Sequence, residues 1–109
     1  MHFDVIGLSA DGQSLVEAEA ALAPDAIVTD ISMPGIDGID ATALIRRRDP
    51  DACIVLVTVH EEQLLMNLGL AAGALGYVLK DSAGDELVAA VQAALDGRQF
   101  VSPALRLKA

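Results

Sequence analysis

One stretch decides the fold: AIVTDISMPGIDG, residues 26–38. A short, largely β-branched apolar run ends on the carboxylate of Asp30, and a loop with proline and glycine leads into a helical pattern. In a parallel α/β sheet, the residue at which a strand turns toward its helix lies in the crevice at the carboxyl edge, where such folds bind ligands. Asp30 is therefore the first candidate functional residue.

The composition is that of one acidic domain. The chain has 109 residues, of which 53% are hydrophobic and 21% are charged, as in a single globular domain. Its formal net charge of -9 disfavours direct binding to nucleic acid or to an anionic membrane. No apolar run approaches the ~18–20 residues of a membrane span, and the start lacks the basic region of a signal peptide. We therefore expect a cytoplasmic protein.

The single cysteine, Cys53, argues against a disulfide framework and is interpreted as a buried thiol.

Strands and helices alternate along the chain. Strands are predicted at Phe3–Leu8, which a turn at Asp11-Gly12 follows, and at Ala26–Asp30, Cys53–Val59 and Gly76–Lys80. Helices are predicted at Ser14–Ala23, Ile39–Arg48, Glu61–Ala72 and from Ser82, as a cap, to Gly97, and Gln99–Ala109 is predicted to be a tail. This alternation indicates βα units with a parallel sheet and right-handed crossovers.

Helical spacing also predicts which side chains are buried. In the helix at Ile39–Arg48 the apolar positions are Ile39, Ala43 and Leu44. In the last helix the buried stripe is expected to comprise Leu87, Val88, Val91, Ala94 and Leu95. The basic triplet at residues 46–48 lies at a helix end where cations are favourable, so we interpret it as a solvated helix terminus.

Three predicted strands end with a polar or reactive side chain. These side chains are Asp30, Thr58 and Lys80, and the ends of parallel strands lie side by side. Alone, each has an ordinary explanation as a strand-end cap, a β-branched strand residue or a solvated lysine. Together, a carboxylate, a hydroxyl and an ammonium suit the formation and binding of a phosphoryl group on the carboxylate.

The motifs around these residues resemble a known family. The run DISMPGIDG at 30–38, then Thr58, then GYVLKD at 76–81, resembles the receiver domain of bacterial two-component response regulators, in its NarL/FixJ-type branch. The resemblance runs from Phe3 to Pro103. It implies an α/β, flavodoxin-like (CheY-like) fold with a parallel sheet, truncated here to about four βα units. Residues 1–103 would form the receiver and residues 104–109 the start of a linker or tail.

The resemblance also implies a function. Asp30 would accept phosphate from a histidine kinase, Thr58 and Lys80 would ligate the phosphoryl group, and Thr58 and Tyr77 would form a switch. The surface from Glu61 to Leu95 would carry the signal, and the parent protein would be a DNA-binding transcriptional regulator. Enzymatic activity would be limited to phosphorylation and dephosphorylation at Asp30 itself.

The sequence departs from the family at its start. The strand at Phe3–Leu8 matches the family's second strand, so the first strand and helix have no counterpart, and neither has the acidic pair that binds Mg²⁺. Asp4 lies at the wrong end of its strand, Asp11 is interpreted as a turn residue and Asp37 as a helix cap. We therefore expect Asp30 to be the only metal ligand, Mg²⁺ to bind weakly or not at all, and phosphoryl transfer to be slow.

The lack of a counterpart to the family's first strand has consequences for oligomerisation. The family sheet order is 2-1-3-4-5, so either the strand at Phe3 moves inward to pair with Ile27–Thr29 or another chain fills the gap. The last helix would also lose a neighbour over its apolar stripe. An open strand edge and an apolar patch both favour a homodimer or an exchanged dimer. No helix-turn-helix pattern follows Pro103, so we expect no direct DNA binding by this chain.

Two other functions remain open. The first is a phosphorylation-independent, dimerising interaction module, which is a degenerate or truncated receiver. The second is a phosphatase with an aspartyl nucleophile, which is disfavoured because Ser32 stands where such chemistry needs a second carboxylate.

A metal site at His60 is disfavoured as well, because no second His or Cys lies at ligand spacing. We interpret His60 as a residue at a helix start.

Overall fold

The computed structural model describes residues 5–6, 26–31 and 37–106. The predicted helix at Ser14–Ala23 and the predicted turn at Asp11-Gly12 lie outside these residues, and so does most of the predicted strand at Phe3–Leu8. Within the described ranges, no helix has both the length and the apolar character that crossing a bilayer requires.

A five-stranded parallel sheet forms the centre of the molecule, with its strands side by side in chain order. The strands are β1 (Val5–Ile6), β2 (Ala26–Asp30), β3 (Ile54–Thr58), β4 (Gly76–Leu79) and β5 (Phe100–Val101). All residues of β3 are buried, as its almost continuous apolar run predicts for a strand covered on both faces. The parallel-sheet prediction is confirmed.

The first described strand pairs directly with the strand that ends at Asp30. Val5 lies opposite Ala26, and Ile6 lies opposite Ile27. This pairing corresponds to the first of the two arrangements considered from the sequence, in which the strand near Phe3 moves inward.

Four helices and one 3-10 turn complete the described part of the chain: α1 (Gly38–Arg48), α2 (Gln63–Ala72), the 3-10 turn (Lys80–Ser82), α3 (Ala83–Leu95) and α4 (Pro103–Arg106). Asp37 caps α1, because its carboxylate accepts a hydrogen bond from the Asp40 amide at 2.8 Å. Gly73 ends α2 with a φ of 114°, a left-handed conformation that favours glycine. Both helix boundaries were predicted from the sequence.

The two faces of the sheet carry separate cores. On one face, α1 and α2 pack on a cluster that contains Ile54, Leu56 and Tyr77. On the other face, α3 packs on a cluster that contains Val55 and Val57. Alternate residues of β3 therefore serve opposite faces, as the two-residue period of a strand requires.

The buried faces of two helices differ from the prediction. In α1 the buried positions are Gly38, Ala41, Thr42 and Ile45. In α3 they are Ala90, Ala93 and Ala94. Leu44 and Val88 are exposed, at 37% and 70%, so their assignment to the buried stripes was wrong. The buried positions of both helices are mainly small residues, whereas the larger Leu44 and Val88 lie outside the buried face.

Of the other positions in the predicted stripe of α3, Ala94 is fully buried as predicted and three are only partly covered. Leu87, Val91 and Leu95 are half-buried, and the first two pack against the second core. Ser82 does not cap α3 through its side chain, because it forms the last residue of the 3-10 turn. Cys53 is half-buried rather than buried, and its thiol donates to the Ala94 carbonyl oxygen at 3.1 Å.

The predicted tail at Gln99–Ala109 is wrong for its first part. Phe100 and Val101 form β5 on the edge of β4, with Phe100 opposite Gly76 and Val101 opposite Tyr77. Packing continues beyond residue 103, because Leu105 is fully buried in the first core. A strand of two residues is too short to show the alternating pattern that predicts strands.

Candidate functional site

The three predicted site residues lie at the same edge of the sheet. Asp30 is paired with Val57, and the next residue of β3, Thr58, is paired with Leu79, which directly precedes Lys80. The register therefore brings the carboxylate, the hydroxyl and the ammonium to adjacent strand ends, as the parallel topology predicts.

Asp30 and Lys80 form an ion pair. The Lys80 Nζ atom lies 2.5 Å from the Asp30 Oδ2 atom. The Lys80 side chain is 44% exposed and that of Asp30 is 17% exposed. Solvent screens a pair of this kind, so it adds little to stability. The ammonium lies close enough to stabilise negative charge on a group bound to the carboxylate.

Gly38 allows α1 to begin against the end of β2. Its amide donates to the Ile31 carbonyl oxygen at 2.8 Å. A Cβ atom at this position would lie 2.1 Å from the Asp30 carbonyl oxygen, far inside van der Waals contact. Only glycine permits this close approach, so Gly38 fixes the backbone that presents the Asp30 carboxylate.

Thr58 and Tyr77 meet around the backbone of His60. The Thr58 hydroxyl accepts a hydrogen bond from the His60 amide, and the Tyr77 hydroxyl donates to the His60 carbonyl oxygen, each at 3.0 Å. Thr58 and Tyr77 are fully buried. Burial raises the pKa of Tyr77 to about 12; the negative charge of Glu62 adds to the rise, and a hydrogen bond from Thr58 opposes it. His60 thus lies in the turn before α2, near the position predicted for it.

A cleft of about 210 Å³ opens beside Lys80. It is lined by Thr58, Val59, Glu61, Leu79, Lys80, Asp81, Ser82 and Ala104. The positive charge of Lys80 therefore borders a space that two carboxylates and two hydroxyls also line. Helix α4 reaches this cleft through Ala104, so the C-terminal segment belongs to the surroundings of the site.

Comparison with known proteins agrees with this arrangement. Residues 1–92 match the family model described as "Response regulator receiver domain". The chain belongs to the response regulator receiver family. A LuxR-family two-component response regulator from Aurantimonas sp. SI85-9A1 superimposes with a TM-score of 0.90 at 30% identity, over 97% of this chain and 94% of that chain. The receiver fold expected from the resemblance is confirmed.

Two curated relatives are longer than this chain and match it over part of their length. The receiver is 33% identical to the transcriptional regulatory protein DegU of Brevibacillus brevis, over 94% of this chain and 43% of that protein. It is 37% identical to the response regulator UvrY of Escherichia coli O157:H7, over 90% of this chain and 45% of that protein. The chain spans less than half the length of these relatives.

The acidic side chains among the described residues of the receiver do not form a cluster. No group of three or more His, Cys, Asp or Glu side chains converges anywhere in 5–6, 26–31 and 37–106. At the sheet edge, Lys80 lies against the Asp30 carboxylate, and the carboxylate of Asp37 caps α1. Asp4 and Asp11 lie outside the described residues. A Mg²⁺ ion takes oxygen ligands in octahedral geometry, with one or two of them from carboxylates; the carboxylate predicted as a ligand at this edge, Asp30, pairs with Lys80.

Sequence reasoning missed two residues of this region of the receiver. Ser102 is fully buried, and its hydroxyl lies between the Leu79 amide and the Glu86 carboxylate. Neither residue belongs to a recognisable motif. The only available signal was the apolar pair Phe100-Val101 directly after a helix end, followed by Ser102-Pro103.

Proposed function

We propose that this receiver accepts a phosphoryl group on Asp30 from the phosphohistidine of a histidine kinase. The observation that carries the proposal is the Asp30–Lys80 ion pair of 2.5 Å at the carboxyl edge, in register with Thr58. A partly exposed carboxylate beside an ammonium and a hydroxyl suits phosphoryl capture, because the nucleophile and the groups that neutralise phosphoryl oxygens are adjacent.

In the proposed reaction, an Asp30 oxygen attacks phosphorus as the bond between phosphorus and the histidine nitrogen breaks. The electron pair of that bond stays on the imidazole nitrogen, which takes a proton from solvent. The Lys80 ammonium stabilises charge on the phosphoryl oxygens. The product is an aspartyl phosphate, and attack by water on its phosphorus returns the free carboxylate and inorganic phosphate.

Thr58 and Tyr77 form the proposed switch. The Thr58 hydroxyl accepts from the His60 amide, and the Tyr77 hydroxyl donates to the His60 carbonyl oxygen, so the two side chains are joined through the His60 backbone. If Thr58 turns to donate to a phosphoryl oxygen on Asp30, the His60 backbone that Tyr77 binds shifts with it. The phosphorylation state of Asp30 would thereby reach an aromatic side chain in the first core, next to α2.

We propose that Mg²⁺ assists this receiver weakly or not at all. The support is the donor set of the described residues, in which Lys80 is the cation placed against Asp30. One ammonium neutralises less charge than a divalent ion, so we expect slow phosphoryl transfer. The activity would be limited to forming and losing the chain's own aspartyl phosphate.

The family also supports a proposal for the parent protein. Relatives are named as transcriptional regulators, and the parent would therefore be a cytoplasmic transcriptional regulator. The formal net charge of -9 opposes direct contact between this chain and DNA.

A homodimer or exchanged dimer remains part of the proposal. Val59, Leu64 and Leu68 are 66%, 70% and 48% exposed, and Leu64 and Leu68 lie one turn apart on α2. Apolar side chains of this size favour association with a second copy. Light scattering over a range of protein concentrations should show a mass approaching twice that of the chain. A mass that stays monomeric at high concentration would contradict it.

Intact mass after incubation with acetyl phosphate, with and without Mg²⁺, tests the phosphoacceptor. The wild type should gain one phosphoryl group, and Asp30→Asn should gain none. Asp85→Asn, which changes an exposed carboxylate on α3, serves as the matched control and should behave as the wild type. Absence of an adduct on the wild type would reject phosphorylation and favour the interaction module. Turnover of an external phosphoester would instead favour the phosphatase.

A further inference from the structure

The segment that follows α3 returns to the strand that carries Lys80. Phe100 and Val101 extend the sheet as β5, and Leu105 fills a fully buried position in the first core. Between them, Ser102 is fully buried. Three elements meet at its hydroxyl: the C-terminal segment itself, β4 and α3.

Ser102 completes the ladder between β4 and β5 with its side chain. Its amide donates to the Tyr77 carbonyl oxygen at 3.0 Å, which continues the regular pattern. Its carbonyl oxygen accepts from the Leu105 amide at 2.9 Å at the start of α4, so the chain turns away from the sheet here. The next amide of β4, that of Leu79, donates to the Ser102 Oγ atom at 3.0 Å instead.

The hydroxyl is held in place by Glu86. The Ser102 Oγ atom donates to the Glu86 Oε1 atom at 2.5 Å. A hydroxyl has one hydrogen and two lone pairs, so it can donate to Glu86 and accept from Leu79 at the same time. A charged acceptor makes the first of these bonds strong, and this orients the lone pairs toward β4.

This arrangement fixes the backbone on both sides of Lys80. The Leu79 amide, one residue before Lys80, is held by Ser102. The Lys80 carbonyl oxygen accepts from the Ala83 amide, which closes the 3-10 turn. The Lys80 side chain is 44% exposed, so its direction toward Asp30 depends on the backbone from which it starts.

We propose that Ser102, oriented by Glu86, is a positioning residue that aims Lys80 at the Asp30 carboxylate. Its effect on phosphoryl transfer rests on the proposed function, whereas its effect on the ion pair does not. Ser102 is therefore coupled to the phosphoryl site, because it supplies the bond that sets the start of the Lys80 side chain.

Competitive acetylation tests the ion pair without phosphorylation. The chain has two lysines, Lys80 and Lys108, so peptide mass spectrometry after trace acetic anhydride gives one reactivity ratio. Ser102→Ala should raise the ratio of Lys80 to Lys108 by about two- to fivefold, as loosening of a partly exposed ion pair predicts. Ser102→Thr keeps the hydroxyl and should restore the wild-type ratio.

A matched control separates positioning from general loosening of the segment. Leu105→Ala removes core packing from the same segment but keeps the Ser102 hydroxyl, so its ratio should stay at the wild-type value. All variants are compared at a temperature at which circular dichroism shows them folded. An unchanged ratio in Ser102→Ala, or an equal rise in Leu105→Ala, would overturn the proposal.

Phosphorylation by saturating acetyl phosphate gives the second measurement. Ser102→Ala should lower the maximal rate by about tenfold with little change in the donor concentration for half-maximal rate, because misplacement of a group that acts in the transition state costs rate. Ser102→Thr should restore it. Failure of the wild type to take phosphate would reject the proposed function alone, since the acetylation ratio still decides the inference.

Discussion

Two polar groups at the carboxyl edge of the sheet differ in their exposure to solvent. The first is the ion pair of Asp30 and Lys80, with side chains that are 17% and 44% exposed. The second consists of Ser102, Glu86 and the Leu79 amide, with a fully buried hydroxyl at its centre. They are joined through a single peptide link, that between Leu79 and Lys80.

The difference in burial gives the two groups different roles. An exposed ion pair contributes roughly 0–1 kcal/mol to stability, so it can open to a phosphoryl group at little cost. A buried hydrogen-bonded group is costly to disrupt, because each donor left without a partner destabilises the fold by about 1–3 kcal/mol. The reactive pair is therefore adaptable, and the buried group next to it is rigid.

The largest expected effect comes from the exposed pair and concerns rate. Lys80→Ala should lower the rate of phosphate uptake by on the order of 10²-fold, as loss of a charge-stabilising group does. Its free energy of unfolding should change by less than about 1 kcal/mol. Intact mass against time and urea unfolding measure the two quantities. A large loss of stability with an unchanged rate would reverse the roles assigned to the groups.

Substitution of a buried side chain in the segment that carries Ser102 should reduce stability far more than substitution of Lys80 does. Leu105→Ala should lower the free energy of unfolding by about 2–4 kcal/mol, because it leaves a cavity at a fully buried core position. The control is Leu64→Ala, which removes the same atoms from a side chain that is 70% exposed and should cost less than about 0.5 kcal/mol. Equal urea midpoints for both variants would show that α4 does not pack as described.

The carboxyl edge was predictable because it depends on topology. Parallel strands place their ends together, so three short runs that end on Asp30, Thr58 and Lys80 were enough to predict the convergence. The caps at Asp37 and Gly73 follow from local backbone chemistry, which the sequence carries directly.

Neither the buried group around Ser102 nor the buried face of each helix was predictable in the same way. β5 has two residues and therefore no period to read. The bond from Leu79 to Ser102 joins residues 23 positions apart, and nothing local in the sequence specifies it. In α3, apolar residues occur around much of the helix. In α1, both Ala41 and Leu44 are apolar, so residue type alone did not decide which of them is buried.

Tyr77 should make stability depend on pH. Its carbonyl oxygen accepts from the Ser102 amide, and its hydroxyl donates to the His60 carbonyl oxygen. Its pKa is about 12 in the folded protein and about 10 when unfolded, so the neutral phenol stabilises the fold fully below pH ~10. About 2–3 kcal/mol should then be lost as pH rises through ~12.

The variant Tyr77→Phe should lack this alkaline loss. At neutral pH it should be less stable by about 0.5–1.5 kcal/mol, because the hydrogen bond to His60 is gone. Urea unfolding at pH 8 and pH 11 measures the difference. Tyr77 is the only tyrosine, so phenolate absorbance reports its titration directly. A midpoint near the unperturbed value would contradict the burial of its hydroxyl.

The smallest expected effect is that of Ser82→Ala, which is set against substitution of the buried Ser102. Ser102→Ala should destabilise the fold by about 1–3 kcal/mol, because the Leu79 amide loses its acceptor. Ser82→Ala should change stability by less than about 0.5 kcal/mol, because the Ser82 side chain makes no capping bond. Thermal unfolding of both variants measures the contrast, and similar losses would restore the capping role predicted from the sequence.

The parallel course of β5 has a mechanical consequence. A load applied at Arg106 and directed away from the sheet would meet Leu105 first, then Ser102, and then the two pairs of β5 in succession. Bonds loaded one after another yield at low force, whereas bonds loaded together resist. Tension on this end would therefore peel the edge of the sheet and free the Lys80 backbone while the strand that carries Asp30 stayed in place.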